Sequence, residues 1–567
     1  MTRAHTASST MSSTPDHLDV AIVGAGFAGL YMLYKLRGLG FSVRVYEAAD
    51  NVGGTWFWNQ YPGCRCDIES LLYSYSFSEE LTQEWTWSER FATQPEILRY
   101  LNHVADRFEL RPDIQFDTRI TAAHFHDHDN HWLLHTQSGA CVSARFCIMA
   151  TGCLSAPRRP NIPGLQDFKG EHYQTASWPH EPISFAGKKV AVIGTGSTGI
   201  QLIPEVAKAA AHCYVFQRTP SFSVPARNAP LTPEFIDAYR ARHDGIREAA
   251  RRGEIFGSGE LAWVLRGEEH TPRAGAPLSQ TQRRQAFEER WNLGGAFFNA
   301  AFNDTVIDPD VNESACEFVR GKIRETVIDA SIAERLTPRG YPIASKRICL
   351  DSNYYATFNR SNVSLIDALS TPIEAITQQG LRTTAAEFDL DMIIFATGFD
   401  AMTGALLSID IRGCGGEALR DKWAHGPQTY LGLATAGFPN LFFVTGPGSP
   451  SVLSNMAVSI EQHVEWIADC LHFINGCKLA RIEADPAAEK DWVELVNTTA
   501  DATLFPVANS WYSGANVPGK PRVFMPYVGG VGVYREICND IAKSGYTGFR
   551  MSGVDVASSD GSPPGLP

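Results

Sequence analysis

The sequence contains no apolar run long enough to cross a membrane. A spanning helix needs roughly 20 mostly apolar residues, and the 567-residue chain has no such stretch of even about 18. We therefore expect no membrane association. Basic residues are also not in excess, since 49 lysines and arginines face 62 aspartates and glutamates and leave a net charge of −13. This charge gives no support to nucleic-acid binding.

Cysteine is sparse, with 12 residues scattered through the chain and no Cys-x₄-Cys pair of the kind found in disulfide reductases. This usage is typical of free thiols in a reducing cytosol. Residues 1–16 are polar, rich in serine and threonine, and lack the apolar segment of a signal peptide. We expect them to be a disordered lead-in and the protein to be cytoplasmic.

The stretch from residue 168 to residue 219 organises the rest of the chain. A buried-strand pattern over 189–193 leads into a G-x-G-x-x-G turn and an apolar-faced helix, and a second strand follows over 213–217. The glycines allow a tight turn, a close backbone approach to a pyrophosphate and close packing of the helix on its sheet. The pyrophosphate would lie on the helix N-terminus. The turn residues predicted to bind it are Thr195, Gly196, Ser197, Thr198 and Gly199.

The residue after the second strand indicates which dinucleotide is bound. An acidic residue there would bind a free ribose 2′-hydroxyl, but this position holds Arg218, followed by Thr219. Because arginine suits a 2′-phosphate, the ligand predicted here is NADPH.

A first nucleotide motif lies near the N-terminus. The run from His17 to Val23 is a buried-strand pattern, the glycines 24, 26 and 29 follow, and the next strand ends on Glu47. This acid is placed for a ribose with two free hydroxyls, as in FAD or NAD. Gly24, Gly26, Gly29 and Glu47 are therefore predicted to bind the first cofactor.

Two such motifs with opposite charges at their second strands indicate two different dinucleotides. The predicted fold is α/β, with two dinucleotide-binding (Rossmann-like) domains and a helical insertion. We expect residues 113–148 to add a small antiparallel sheet to the FAD domain. The strand before Thr397-Gly398 echoes the strand before Thr151-Gly152, so we expect it to return the chain to the FAD domain. The predicted segments are a disordered N-terminus (1–16), the first part of the FAD-binding domain (17–152), the first part of the NADPH-binding domain with a linker (153–224), the helical insertion (225–335), the second part of the NADPH-binding domain (336–388) and the second part of the FAD-binding domain (389–567).

A Gly/Pro-rich loop with several aromatic residues, residues 53–67, follows the first motif. Taken alone, its tryptophans are as typical of a core as of a cofactor site. The aromatic residues together with Arg65 and Asp67, directly after an FAD fold, favour a contact with the flavin ring. Cys64 and Cys66 share one face of an extended chain and could not bridge without strain, so they are interpreted as structural.

Five histidines, at positions 124, 126, 128, 131 and 135, lie on a hairpin-like pattern. No thiolate or shaped carboxylate set accompanies them to complete a tetrahedral site. We therefore predict no metal ion.

Several segments together resemble one family. Gly53-Gly-x-Trp56, Tyr61-Pro-Gly63 and Asp67 are similar to the first fingerprint of the Baeyer–Villiger monooxygenases, and Phe168-x-Gly170 with Trp178-Pro179 resembles their linker signature. Residues 446–456 and 510–524 resemble the same group. The resemblance runs from about residue 20 to about residue 550 and is closest to the phenylacetone and steroid monooxygenases. One departure is Gln174, where the family has a linker histidine, and it puts the coupling between domains in doubt.

The resemblance implies an FAD enzyme that takes a hydride from NADPH and adds O₂ to the reduced flavin. The resulting C4a-peroxyflavin attacks a ketone and gives an ester or lactone. By this carry-over Arg347 is catalytic and stabilises negative charge, and Asp67 orients it. The partners are a small ketone and O₂, and we expect a monomer or a weak oligomer. The remaining cofactor residues implied by the resemblance are Lys346, Arg218 and Thr219 for the 2′-phosphate, Trp511 for the nicotinamide ribose, and Gly54, Thr55, Trp56, Tyr73 and Met456 with Glu47 for FAD.

Other functions share some of these features. A flavin-dependent N- or S-oxygenase has the same two nucleotide folds but needs no arginine to hold an anion. A non-catalytic, redox-responsive flavoprotein is a third possibility. Lys346-Arg347 alone would be a solvated surface pair, and only its company with Asp67 and two nucleotide folds favours catalysis.

Overall fold

The computed structural model describes residues 17–267 and 273–553. The predicted disordered lead-in, residues 1–16, lies outside the described residues. Among residues 17–267 and 273–553, no helix combines the length and the apolarity that a membrane span requires.

The strands of the described residues are short and belong to five sheets. In chain order they are β1 His17–Val23, β2 Val43–Tyr46, β3 Ile114–Gln115, β4 Ile120–His126, β5 His131–Thr136, β6 Cys141–Met149, β7 Glu171–Gln174, β8 Lys189–Ile193, β9 His212–Gln217, β10 Ser223–Pro225, β11 Cys349–Asp351, β12 Val363–Asp367, β13 Ile373–Thr377, β14 Gly380–Thr383, β15 Glu387–Asp389, β16 Met392–Phe395, β17 Asp410–Arg412, β18 Leu441–Phe443, β19 Leu479–Ala484 and β20 Phe549–Gly553.

The α-helices surround the sheets and fill the segment between β10 and β11. In chain order they are α1 Phe27–Gly38, α2 Thr55–Trp58, α3 Glu79–Glu84, α4 Gln94–Arg107, α5 Ser197–Ala209, α6 Pro233–Arg240, α7 His243–Arg251, α8 Leu261–Leu265, α9 Gln280–Leu293, α10 Pro309–Thr326, α11 Ala330–Leu336, α12 Tyr354–Thr357, α13 Gly404–Leu407, α14 Leu419–Lys422, α15 Met456–Gly476, α16 Pro486–Asp501 and α17 Val531–Lys543.

The first sheet has the strand order β17-β4-β5-β6-β1-β2-β3, and β18 also pairs with β6. Strand β1 lies parallel to both β2 and β6. Strands β4, β5 and β6 pair antiparallel, as predicted for residues 113–148, and they are part of the sheet of the first nucleotide fold. The reason is that β6 pairs with β5 on one edge and with β1 on the other, so the meander extends the nucleotide sheet.

The second sheet is fully parallel and has the order β12-β9-β8-β16-β7. Strand β16 pairs with β8 and β7, so it belongs to the second nucleotide fold. The boundary predicted at residue 389, which returned this strand to the FAD domain, is therefore wrong.

The two Ala-Thr-Gly segments are similar in sequence, but not because both belong to the FAD domain, as predicted. A Cβ at Gly24 would lie 2.6 Å from the carbonyl oxygen of Ala150, and a Cβ at Gly194 would lie 2.4 Å from that of Ala396. Each segment thus packs against the glycine turn of its own sheet. The similar sequences occupy equivalent places in two nucleotide folds.

The segment predicted as a helical insertion contains α6 to α11. It leaves the second nucleotide fold after β10 and returns at β11, and these two strands pair in parallel. Lys346 and Arg347 lie three and two residues before the start of β11, so this pairing places their backbone beside the second nucleotide fold.

Candidate active site between two nucleotide folds

The first glycine turn leaves room for a phosphate group. Gly24 has φ of +104°, which favours glycine, and helix α1 begins three residues later at Phe27. A Cβ at Gly29 would lie 1.8 Å from the carbonyl oxygen of Gly24, so any side chain there would force the helix away from the turn. The turn and the unpaired N–H groups of the helix start together fit a dinucleotide pyrophosphate.

Glu47 is buried at the end of β2, with 5% of its surface exposed. Its Oε2 accepts from the backbone N–H of Ala25 at 2.6 Å, and its Oε1 accepts from that of Ala49 at 2.9 Å. Burial raises the pKa of Glu47, and these backbone donors partly oppose the rise. Each carboxylate oxygen has a second lone pair, which can accept from a ribose hydroxyl.

The loop after the first motif brings aromatic side chains to the same turn. Gly54 packs on Gly26, and a Cβ on Gly54 would lie 3.0 Å from the Cα of Gly26. Helix α2 starts at the exposed Thr55. The indole N–H of Trp56 donates to the Tyr73 hydroxyl at 3.2 Å. Met456 begins α15 and is partly buried against the same core. Gly54 therefore lies on the glycine turn, and Trp56 and Tyr73 contact each other directly after it.

The second glycine turn repeats this arrangement on β8. Gly194 has φ of +114°, and α5 begins at Ser197, so Thr198 and Gly199 lie in its first turn. A Cβ at Gly199 would lie 2.2 Å from the carbonyl oxygen of Gly194, whereas a Cβ at Gly196 would meet nothing within 4 Å. Gly196 is exposed and leaves that space to a ligand.

The residues predicted for the 2′-phosphate lie at the end of β9. The Thr195 hydroxyl donates to the backbone oxygen of Thr219 at 3.2 Å, which ties the glycine turn to this segment. The Tyr341 hydroxyl donates to the backbone oxygen of Pro220 at 2.7 Å, and the Lys346 ammonium lies 4.2 Å from the Tyr341 ring centroid. Burial and the charge of Arg218 lower the pKa of Lys346. Arg218 and Lys346 are therefore close enough to act on one anion.

Arg347 and Asp67 form a two-bond ion pair. The guanidinium Nε donates to Asp67 Oδ2 at 2.5 Å and Nη2 donates to Oδ1 at 2.7 Å, while Nη1 donates to the backbone oxygen of Val452 at 2.9 Å. These bonds use three of the five N–H groups of the guanidinium. The side chains are 31% and 24% exposed, so the pair faces an open space.

The charges of this pair are fixed by each other. Burial alone would raise the pKa of Asp67, but the charge and hydrogen bonds of Arg347 hold it below its ordinary value. Burial also lowers the pKa of Arg347, and Asp67 more than offsets this and raises it overall. At neutral pH the site therefore presents a permanent guanidinium.

Tyr512 is a residue of this site that the sequence analysis missed. It is buried, and burial raises its pKa to about 12 against the charge and hydrogen bonding of Arg347. Its neighbour Trp511 has its ring centroid 4.3 Å from that of Tyr512, and both pack in a cluster with Val452 and Met456. The motif around Trp511 was available in the sequence, but nothing in it separated the two aromatic side chains.

The Arg65 side chain forms contacts within the protein, and its predicted contact with the cofactor stays a prediction. Its Nη1 donates to Glu89 Oε2 at 2.8 Å and to the backbone oxygen of Phe91 at 2.9 Å. Its side chain is therefore committed to holding the loop. Cys64 and Cys66 are buried free thiols, in agreement with their structural interpretation.

Part of the histidine-rich hairpin forms a cluster. His126, Asp129 and His131 bring one ligand atom each within 4.8 Å of one another, so a carboxylate does accompany the imidazoles, unlike in the sequence interpretation. His126 and Asp129 are exposed, and Asp129 pairs with His128 at 2.7 Å. The absence of a metal ion stays a prediction.

Comparison with known proteins identifies the family. Residues 21–242 match the model of the pyridine nucleotide-disulphide oxidoreductase family. A Baeyer–Villiger monooxygenase of Pseudooceanicola batsensis is 40% identical over 533 residues, which cover 93% of this chain and 95% of the relative. The chain belongs to the Baeyer–Villiger monooxygenase family. A phenazine N-monooxygenase of Lysobacter antibioticus is also 40% identical, over 94% of this chain and 97% of its own.

Solved structures of Baeyer–Villiger monooxygenases and related proteins have the same fold. A steroid monooxygenase bound to NADP is 49% identical with a TM-score of 0.89, and covers 95% of this chain and 100% of its own. OTEMO in complex with FAD and NADP is 39% identical with a TM-score of 0.89 and the same coverage. The predicted family, fold class and enzyme class are confirmed.

Proposed function

We propose that the chain uses FAD, NADPH and O₂ to convert ketones to esters or lactones. The observation that carries this proposal is the two-bond ion pair of Arg347 and Asp67, which lies where the two nucleotide folds meet and is partly exposed. When bound, NADPH supplies a hydride and FAD supplies the activation of O₂. The residues of the chain bind, orient and stabilise charge around that chemistry.

The first nucleotide fold holds FAD. The glycine turn and the start of α1 bind its pyrophosphate, and Glu47 accepts from its ribose hydroxyls. The residues of the following loop and of α15 line the rest of the cofactor, namely Gly54, Thr55, Trp56, Tyr73 and Met456.

The second nucleotide fold holds NADPH. The turn 194–199 and the start of α5 bind the pyrophosphate, and Arg218, Thr219 and Lys346 bind the 2′-phosphate. Trp511 lies against Tyr512, next to Arg347, and is the residue we assign to the nicotinamide ribose. An anion at this cationic cluster also lowers the repulsion between Arg218 and Lys346.

Arg347 stabilises negative charge on the oxygen atoms that react with the ketone. One guanidinium at about 4 Å and an effective dielectric near 20 contributes about 4 kcal/mol. Arginine suits this task because it holds a positive charge without giving up its proton to the nucleophile. Asp67 offsets part of this field, and it fixes the direction of the remaining N–H groups, as a preorganised site requires.

The proposal is tested with the FAD-loaded enzyme, NADPH and a panel of aryl, small cyclic, large cyclic and steroid ketones. Ketone-dependent NADPH consumption, with a product one oxygen atom heavier that hydrolyses as an ester, is the expected result. The variant Arg347→Ala should form none of this ester, and the variant Arg347→Lys should form part of the wild-type amount. NADPH consumption without ester from any ketone would overturn the proposal.

Oxygenation at nitrogen is a second candidate, because one relative of equal identity is a phenazine N-monooxygenase. An N-oxygenase needs no cation for a nucleophilic oxygen anion. N-oxide formation from an aromatic amine that survives Arg347→Ala would favour this candidate. The monomeric or weakly oligomeric state and the cytoplasmic location remain part of the proposal.

A further inference from the structure

Arg158 lies at the same sheet edge as the proposed NADPH residues, although no motif indicated it. Its backbone is fixed by three hydrogen bonds. Its N–H donates to the oxygen of Gly398 at 2.9 Å, and its carbonyl oxygen accepts from Gln174 Nε2 at 3.0 Å and from the Thr397 hydroxyl at 2.7 Å. The position of Arg158 is thus set by the ends of β7 and β16.

The parallel sheet explains why these segments meet. All five strands run in one direction, so their carboxyl ends lie on the same side of the sheet. The last residues of β7, β16, β8 and β9 are Gln174, Phe395, Ile193 and Gln217. Strands β16 and β9 flank β8, and at about 4.8 Å per strand they are roughly 10 Å apart. Arg158, whose backbone is hydrogen-bonded to Thr397 and Gly398 just after β16, and Arg218, which follows β9, can therefore converge over the glycine turn that ends β8.

The charges at this edge are not balanced within the protein. None of Arg158, Arg218 and Lys346 forms an ion pair with a carboxylate within residues 17–267 and 273–553. Burial lowers the pKa of Arg158, and the charge of Arg218 lowers it further. Like charges brought together in this way lower the energy of a bound anion.

We propose that Arg158 is a further cation for the 2′-phosphate of NADPH and that Gln174 positions it. This inference rests on the proposed function, because it takes NADPH as the ligand. Arg158 binds the phosphate from the side opposite Arg218, and the Gln174 amide holds the Arg158 backbone through its carbonyl oxygen. Gln174, which stands where the family has a linker histidine, thereby acts on NADPH binding through Arg158.

The test measures binding to the FAD-loaded enzyme by calorimetry, with NADP⁺, NAD⁺ and 2′,5′-ADP as probes. Arg158→Ala should weaken NADP⁺ and 2′,5′-ADP by about 5- to 20-fold, as expected for loss of one partly exposed charged hydrogen bond. NAD⁺ affinity should stay unchanged. Arg159→Ala is the matched control, because Arg159 is the adjacent arginine and its side chain is exposed.

Gln174 is tested with Gln174→Met, which keeps the side-chain length and removes the amide donor. Because Thr397 still donates to Arg158, we expect a smaller loss of NADP⁺ affinity, about 2- to 5-fold. Gln174→His restores a donor and should recover part of the loss. In the Arg158→Ala background Gln174→Met should have no further effect on NADP⁺ binding, because the two residues act on the same phosphate.

The outcomes separate this inference from the proposed function. If the wild-type enzyme bound NAD⁺ as tightly as NADP⁺, the choice of NADPH itself would be wrong. If the wild type preferred NADP⁺ and Arg158→Ala left that preference unchanged, only the role of Arg158 would be overturned. Equal loss of NADP⁺ and NAD⁺ would overturn it as well, since the arginine would then serve the pyrophosphate or the fold.

Discussion

The positive charge of Arg347 and the direction in which Asp67 holds it are separable properties of one ion pair. We expect Arg347→Ala to retain FAD and to accept hydride, because the glycine turns and Glu47 are untouched. Ester formation should fall by about 1,000-fold, since the variant loses about 4 kcal/mol of charge stabilisation. Stopped-flow measurement of flavin reduction, with ester yield beside it, checks both parts.

Asp67→Asn is the matched variant for this pair. The guanidinium charge remains, and only one of the two acceptors on residue 67 is lost, so the expected loss of ester formation is about 10-fold. Normal ester yield from Arg347→Ala would remove the assignment of Arg347 and favour N- or S-oxygenation. A loss from Asp67→Asn as large as that from Arg347→Ala would mean that the carboxylate has a role beyond orientation.

Lys346 gives a pH dependence with a definite sign. Burial and the charge of Arg218 lower the pKa of Lys346 in the folded protein below the ordinary 10.5. Below this lowered pKa the lysine is charged in both the folded and the unfolded protein, and its charge reduces the folding stability. Above pH 10.5 the lysine is neutral in both states, and the reduction is absent. Binding of the 2′-phosphate has the opposite sign, because it needs the charged lysine. NADP⁺ affinity should therefore fall as the pH rises through the lowered pKa of Lys346, below 10.5, and Lys346→Arg should remove most of that fall. Calorimetry across this range, with NAD⁺ as the control ligand, measures it.

Residues that follow a strand could be predicted from the sequence, and residues that depend on distant pairing could not. Glu47 and Arg218 each directly follow the second strand of a nucleotide motif, which fixes their place relative to the glycine turn. Tyr512 and Arg158 are placed by Arg347 and by Gln174, and no local pattern links these pairs. The ion pair of Arg65 with Glu89 could not be predicted for the related reason that Glu89 lies in another loop.

At the scale of elements, strand β16 was found in the sequence but given to the wrong sheet. A central parallel strand is apolar on both faces, as the fully buried run 392–395 is. Its sequence pattern therefore does not indicate which strands pair with it. The helices of the insertion were easier to predict, because their apolar residues recur at helical spacing. Sheet membership here was decided by pairing with β7 and β8.

The second glycine turn contains two glycines with different tasks. Gly199→Ala would place a methyl group 2.2 Å from the backbone oxygen of Gly194, so we expect the contact of α5 with its sheet to open at a cost of about 1–3 kcal/mol. Gly196→Ala meets no protein atom within 4 Å and should fold normally, but its methyl group would occupy the space of the pyrophosphate. Thermal unfolding and NADP⁺ titration of both variants distinguish the two effects.

The opposite pattern would contradict this division. A destabilised Gly196→Ala would show that residue 196 contributes to folding. A Gly199→Ala that has the wild-type unfolding temperature and binds NADP⁺ normally would show that α5 accommodates a methyl group at this position. Proline is not a useful control at either position, because it would also remove a backbone N–H from the anion site.

At the scale of the whole molecule, one glutamine joins the two nucleotide folds. Gln201 on α5 accepts from the Tyr61 hydroxyl at 2.8 Å and donates from Nε2 to the backbone oxygen of Arg65 at 3.0 Å. A Cβ at Gly63 would lie 2.5 Å from the Gln201 backbone oxygen, so the loop that carries Asp67 lies directly on this helix. NADPH at the start of α5 and the Asp67–Arg347 pair are thus mechanically connected.

Gln201→Leu keeps the side-chain volume and removes both hydrogen bonds. We expect FAD content and NADP⁺ affinity to stay near the wild type, while more of the NADPH consumed ends as hydrogen peroxide, because Asp67 is held less firmly. The ratio of peroxide to ester per NADPH measures this coupling. An unchanged ratio would mean that the loop is held by its other contacts, such as the ion pair of Arg65 with Glu89.

The strand order of the second sheet also sets the order in which the protein can fold during synthesis. Strand β16 lies between β8 and β7, yet about 200 residues separate the end of β8 from its start. At roughly 5–20 residues per second the ribosome needs about 10–40 s for that distance. Until then β7 has no partner and β8 keeps one edge open, whereas β1, β2 and β6 of the first sheet are already complete. The nascent second fold therefore has unpaired strand edges, which favour aggregation, for tens of seconds.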